Sequence, residues 1–298
     1  MNRGAIMKIG LVTDSTCDLD SDILNKYGIG MVPLTIIFSE EENYKDIVEI
    51  GHEDFFKKLV KADKLPTTSQ PSVGLFNEKY TEMFEEYDAI ISIHIASKLS
   101  GTCKSATMAA NQFEDKQIEV IDSCSTSLGL GFQVLLARRL INEGFSIEEI
   151  VEKLKVARDN LTVYFSVNDL TYLQKGGRIG KAQAFLGSVL SFCPILALSS
   201  ENGEILPFEK VRGKKKIVNR LLEISKKELE GEEKASLGLI YASETEYYHK
   251  FKAKLLENLV DIDTEYIEHS SWISSVLGSH IGPSVYGIII LKGELLEI

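Results

Sequence analysis

The sequence predicts an α/β protein of two domains: residues 1–160 on a mainly parallel sheet flanked by helices, and residues 161–298 as an α/β unit whose mixed sheet includes an antiparallel hairpin. Three observations carry this. Short apolar runs closed by polar loops recur in the first half and alternate with helical stretches, the pattern of βαβ units. The pattern changes at Glu201-Asn202-Gly203, where an Asn-Gly pair between apolar runs signals a hairpin. A chain of 298 residues, 44% hydrophobic and 26% charged, has material for a large core and is long for a single one.

In order, KIGLVTD, ending at Asp14, reads as a buried parallel strand opening into the polar loop STCD. GMVPLTIIF from Gly30, DAIISIHI from Asp88 and QIEVID from Gln117 read as further strands of the same sheet. Gly144 closes one helix, and Ser146 with Glu149 makes a capping box for the next, IVEKLKVARDN. Beyond Asn160 come the strand LTVYFSV, the helix-prone DLTYLQ, and the loop KGGRIGK leading into AQAFLGSVLSF. PILALSS and EILPFEKVR form the hairpin arms. The helix GKKKIVNRLLEISKKELEG, the strand SLGLIYAS and the helix YYHKFKAKLLENL follow. TEYIEHS, a Ser-rich turn around Trp272 and the strand SVYGIIILK end the chain, without repeats or low-complexity tracts.

A net charge of −11 disfavours nucleic acid and anionic surfaces as general partners. No apolar run approaches the roughly 20 residues of a membrane span. The segment MNRGAIMKIG lacks a secretory pattern, so a cytoplasmic location is expected. Cys17, Cys103, Cys124 and Cys193 are scattered, which fits reduced packing residues. With no HExxH or Cys/His spacing, no metal site is expected.

Four clusters could carry chemistry. LPTTSQPS concentrates hydroxyls between prolines, as ligand donors or as caps for the helix after Pro71. SKLSGT falls where a parallel strand should end and a helix begin, the place where open α/β sheets bind anions; alternatively Ser100 is a helix cap and Gly101 a turn residue. KGGRIGK carries Arg178 and Lys181 but lacks the spacing and hydroxyl of a Walker loop, and VRGKKK places Arg212 before a helix start, where positive charge is disfavoured. GSHIGPS sets His280 among glycines that allow a ligand close to the backbone.

Taken in order, VTDSTCDL, PTTSQPSVGLF, SKLSGTCKSA, YLQKGGRIGKAQAFLG, GEILPFEKVRGKKK and GSHIGPSVYG resemble the motif series of the DegV family of fatty-acid-binding proteins over nearly the whole chain. The resemblance implies a bacterial lipid-binding protein with a cleft between and within its two domains that encloses one long-chain fatty acid such as palmitate. It implies no reaction by this chain alone and no cofactor. The implied role is the substrate-presenting subunit of a fatty acid kinase, with an ATP-binding kinase as partner and room for transient membrane contact. Thr68 and Ser100 match the carboxylate-holding positions, His280 lies near the head group, and Arg178 and Arg212 match basic positions at the entrance or partner-facing surface. The competing reading is a Ser-dependent lipid hydrolase using Ser100, His280 and Asp14 or Asp122, although GxSxG is missing.

Overall fold

The computed structural model describes residues 7–168, 170–187, 192–243, 246–258, 263–266 and 272–296. Four parallel strands form the first sheet in the order Ile29–Val32, Ile9–Asp14, Ala89–His94, Gln117–Asp122. The two central strands are buried along their whole length, which is why they read as unbroken apolar runs. A second, six-stranded sheet runs Ile205–Arg212, Phe192–Leu198, Leu161–Ser166, Tyr286–Lys292, Lys234–Tyr241, Asp263–Tyr266. Its pairings are antiparallel except the last, so it is mixed, as expected.

Alternation along the strands assigns the layers. Val12 and Ile90 face Phe76, Tyr80 and Ala106, from the helices Val73–Met83 and Thr102–Ala110 on the outer side of the parallel sheet. Leu11 and Ile91 face inward to a core shared with Val163, Phe165 and Leu196 of the mixed sheet. The helix Leu128–Asn142 lies in that middle layer against both sheets. Gly238 makes room for it, because a Cβ there would stand 2.6 Å from Leu128 Cδ1. The helices Lys214–Glu228 and Glu246–Asn258 cover the far face of the mixed sheet through Leu221 and Phe251.

The predicted strand from Gly30 to Phe38 is two strands in two sheets. Pro33 offers no N–H to a ladder, and the chain leaves the parallel sheet there. Thr35–Ile37 then sits at the centre of a small antiparallel sheet between Asn43–Lys45 and Thr67–Ser69. The hydroxyl-rich Thr67–Ser69 is therefore held by backbone pairing, with Thr68 opposite Ile36. Ser72 caps the following helix by accepting the Leu75 N–H.

Several local signals act as read. Ser146 and Glu149 form the reciprocal capping box, and Gly144 takes φ +85° behind the helix Leu128–Asn142. The Asn202-Gly203 turn joins antiparallel arms, with Gly203 at φ +74°. GSHIGPS differs from its reading: Gly278 and His280 belong to the helix Ser275–Ile281, capped by Ser274. Parts of AQAFLGSVLSF (188–191), DLTYLQ (169) and TEYIEHS with the following serine (267–271) lie outside the described residues.

Candidate functional site

Loops at the carboxyl ends of the parallel strands open toward the mixed sheet, and between them lies a cavity of about 380 Å³. That is within the range of roughly 300–1,000 Å³ usual for small-molecule sites. Its walls are mainly aliphatic. Ile95 and Leu99 come from the end of the strand Ala89–His94, Val163 and Phe165 from the mixed sheet, and Val276 and Leu277 from the helix Ser275–Ile281. Polar groups gather in a few places on this wall, including Thr68, Ser100, Arg178 and His280. A mostly apolar chamber with few polar contacts suits a ligand with a long hydrocarbon part.

Thr68 is presented by its strand, and its Oγ1 lies 2.7 Å from His280 Nε2. His280 arrives from 212 positions away on the helix Ser275–Ile281. Its Nδ1 is buried without a hydrogen-bond partner among the described residues, against Gly176, where an added Cβ would come within 2.5 Å. Burial, with Arg178 nearby, lowers the His280 pKa to about 4, so the ring is neutral near pH 7. Ser100 precedes the helix Thr102–Ala110; Gly101 is the capping residue, and Ser100 Oγ instead contacts Thr102 Oγ1 at 2.8 Å. Arg178 Nε donates to the Leu99 carbonyl at 3.2 Å and its NH1 to that of Gly176 at 2.8 Å, which ties the glycine loop to the serine loop.

The structure thus brings Thr68, Ser100, His280 and Arg178 to one cavity. Arg212 is elsewhere. It ends the strand whose first residue, Ile205, lines the cavity, and at about 3.4 Å per residue it stands some 20 Å farther along, exposed. Strand direction carries it away from the chamber to the exposed surface.

The hydrolase arrangement is not assembled. His280 Nε2 faces Thr68, whereas Ser100 Oγ faces Thr102. Asp14 instead accepts from His94 and the Ile95 N–H in a fully buried network reaching Ser92 and Tyr80. Asp122 accepts the backbone N–H groups of Ser97 and Cys124. Among the described residues Ser100 therefore has no base, and His280 no carboxylate to orient it.

Two buried carboxylates, Asp18 within VTDSTCDL and Asp46 outside every motif, hold the helix that carries His280. Asp18 accepts the Ser274 N–H at 2.8 Å and the Ser127 hydroxyl. Asp46 accepts the Ser275 N–H at 3.1 Å and the Ser15 hydroxyl at 2.9 Å. Burial raises the pKa of both, that of Asp46 to about 7. Ser127 lines the cavity at φ 55° and ψ −149°, a conformation ordinarily left to glycine and retained here by the Asp18 bond.

The four cysteines are free and buried. Among the described residues no group of three His, Cys, Asp or Glu side chains could hold a metal ion, and no helix is long and apolar enough to cross a membrane.

A family model described as "Uncharacterised protein, DegV family" matches residues 8–293. Protein DegV of Bacillus subtilis is 36% identical over 285 residues, covering 95% of this chain and 98% of that one. The solved structure of a DegV family protein from Thermus thermophilus, described as showing fatty acid binding, superposes with a TM-score of 0.88 at 35% identity, covering 96% of this chain and 100% of that one. DegV from Bacillus subtilis, described as a fatty acid binding protein, gives 0.86 at 34% identity, covering 96% and 99%. A stearic acid-binding protein from Eubacterium ventriosum gives 0.84 at 28% identity, covering 95% and 98%.

Proposed function

The chain belongs to the DegV family, and from that premise we propose that it binds one long-chain fatty acid in this cavity and presents it to a separate kinase for acyl phosphate formation. The observation that carries the binding reading is the cavity itself: an aliphatic chamber with Thr68, Ser100 and His280 on its wall. A carboxylate beside hydrocarbon costs several kcal/mol unless its oxygens receive hydrogen bonds. Two hydroxyls supply them, Arg178 adds positive charge near His280, and the tail contributes about 0.8 kcal/mol per buried CH₂. The chamber would lie between two domains dividing near residue 160.

Fatty acids named for similar structures support the ligand class. Presentation to a kinase rests on the family resemblance and on a KGGRIGK loop without Walker spacing, so that ATP would be bound by another subunit. The bound lipid is the ligand in this reading and no cofactor takes part.

The test is native mass spectrometry of protein purified from cells, followed by organic extraction. One fatty acid per chain is expected. A ligand-free chain that also takes up no palmitate would overturn the reading.

A further inference from the structure

Two of the cavity's hydroxyls, those of Thr68 and Ser100, each have a single side-chain hydrogen-bond neighbour among the described residues. Thr68 Oγ1 meets His280 Nε2 at 2.7 Å, and Ser100 Oγ meets Thr102 Oγ1 at 2.8 Å. Thr102 is fully buried, opens the helix Thr102–Ala110, and its hydroxyl has no other hydrogen-bond partner among the described residues. Its amide also points at Ser100 Oγ, at 3.4 Å.

A hydroxyl carries one proton, so the direction of these two bonds decides what the site offers. If Ser100 donated to Thr102, and Thr68 to His280, both front hydroxyls would turn lone pairs toward a bound head group. A carboxylate, which only accepts, would then be repelled. With the bonds reversed, each front oxygen accepts from behind and its proton is free to point forward. The histidine supplies an independent reason for that direction. A proton on His280 Nδ1 would leave a buried N–H without an acceptor against Gly176, whereas a proton on Nε2 has Thr68 Oγ1 to receive it.

We propose that Thr102, behind the wall, and His280, on it, are positioning residues that donate Thr102 Oγ1–H to Ser100 and His280 Nε2–H to Thr68, so that these two hydroxyls turn their protons to the cavity and favour an acceptor-only, anionic head group. This rests on the carboxylate reading above. Thr102 touches no ligand in this scheme and acts only through Ser100.

The test measures palmitate binding by calorimetry, with hexadecanol as the matched neutral probe. Thr102→Val keeps the side-chain shape and removes the donor; it should weaken palmitate about 5- to 30-fold, as expected for one lost hydrogen bond to a charged group's partner, and lower the preference over hexadecanol. Thr102→Ser should restore both. In a Ser100→Ala background Thr102→Val should add nothing, which a purely structural role would not produce. In ¹⁵N spectra of the wild-type chain His280 should carry its proton on Nε2, with and without palmitate.

Wild-type affinity in Thr102→Val while Ser100→Ala binds weakly would overturn the Thr102 role and leave the carboxylate site standing. An equal loss in the Ser100→Ala background would do the same. A proton on Nδ1 would overturn the His280 role. Full binding in Ser100→Ala and Thr68→Val would remove the carboxylate site, and this inference with it. If Thr102→Val does not fold, Thr102→Ala takes its place, and the wild-type spectrum still decides the histidine.

Discussion

The Asp46 carboxylate accepts the backbone N–H of Ser275 at 3.1 Å across 229 positions of sequence. Asp18 does the same for Ser274, so the first turn of the helix bearing His280 is fastened to loops from the other end of the chain. Hydrogen bonds from the Ser15 hydroxyl and the Ser275 N–H meet Asp46, but burial outweighs them and raises its pKa from 3.8 to about 7.

A pH dependence follows. Between about pH 4 and pH 7 the folded chain keeps a proton on Asp46 that the unfolded chain releases, so rising pH favours unfolding across this window and has no further effect beyond it. Asp46→Asn removes this dependence. Urea unfolding at a series of pH values should show the variant gaining on the wild type by up to about 1.4 kcal/mol per pH unit in that window. Parallel curves would refute the buried-acid account.

Thr68→Val and Ser100→Ala should each weaken palmitate binding by about 10- to 150-fold, because each removes one hydrogen bond to a charged group. Melting temperatures of the lipid-free variants should stay near the wild type, since both side chains are only half-buried. Calorimetric titration beside thermal unfolding checks both statements.

Leu198→Trp tests the chamber. Leu198 is a half-buried wall residue at the end of the strand Phe192–Leu198, so a larger ring there takes space from the ligand. Binding of long acyl chains should fall more than that of short ones in a chain-length series. Equal loss at every length would mean that the tail does not reach this wall.

Gly203→Ala should destabilise the protein by about 2 kcal/mol or more in denaturant titration. Its φ is +74°, and an added Cβ would lie 2.3 Å from Ala96 Cβ and 2.9 Å from the Cys124 carbonyl oxygen. The hairpin turn of the mixed sheet here abuts loops of the parallel sheet, so the cost has both a backbone and a contact part.

What could be read in advance was what depends on local pattern. The parallel strands, the capping box at Ser146 and the Asn202-Gly203 hairpin each follow from neighbours in sequence. Family motifs marked Thr68, Ser100, His280 and Arg178, which line one cavity. Pro33 was visible, yet the change of sheet it imposes depends on Thr67–Ser69 being available as a partner for Thr35–Ile37. The helix Ser275–Ile281 was hidden because glycines and serines give it poor intrinsic propensity; its two amide clamps come from Asp18 and Asp46. Thr102 looked like part of a helix start, and only coordinates show its hydroxyl behind that of Ser100.

The residues around the cavity run from Leu34 to Ile281, so no fragment that stops short of either contains the whole lining. During synthesis the pocket can close only after His280 and Ile281 have emerged and docked. A nascent or truncated polypeptide would have exposed grease but nowhere to keep a lipid. Under the proposed function, an acyl chain held only by the assembled chamber would favour the folded state over the unfolded one, so loaded copies would be the more durable ones.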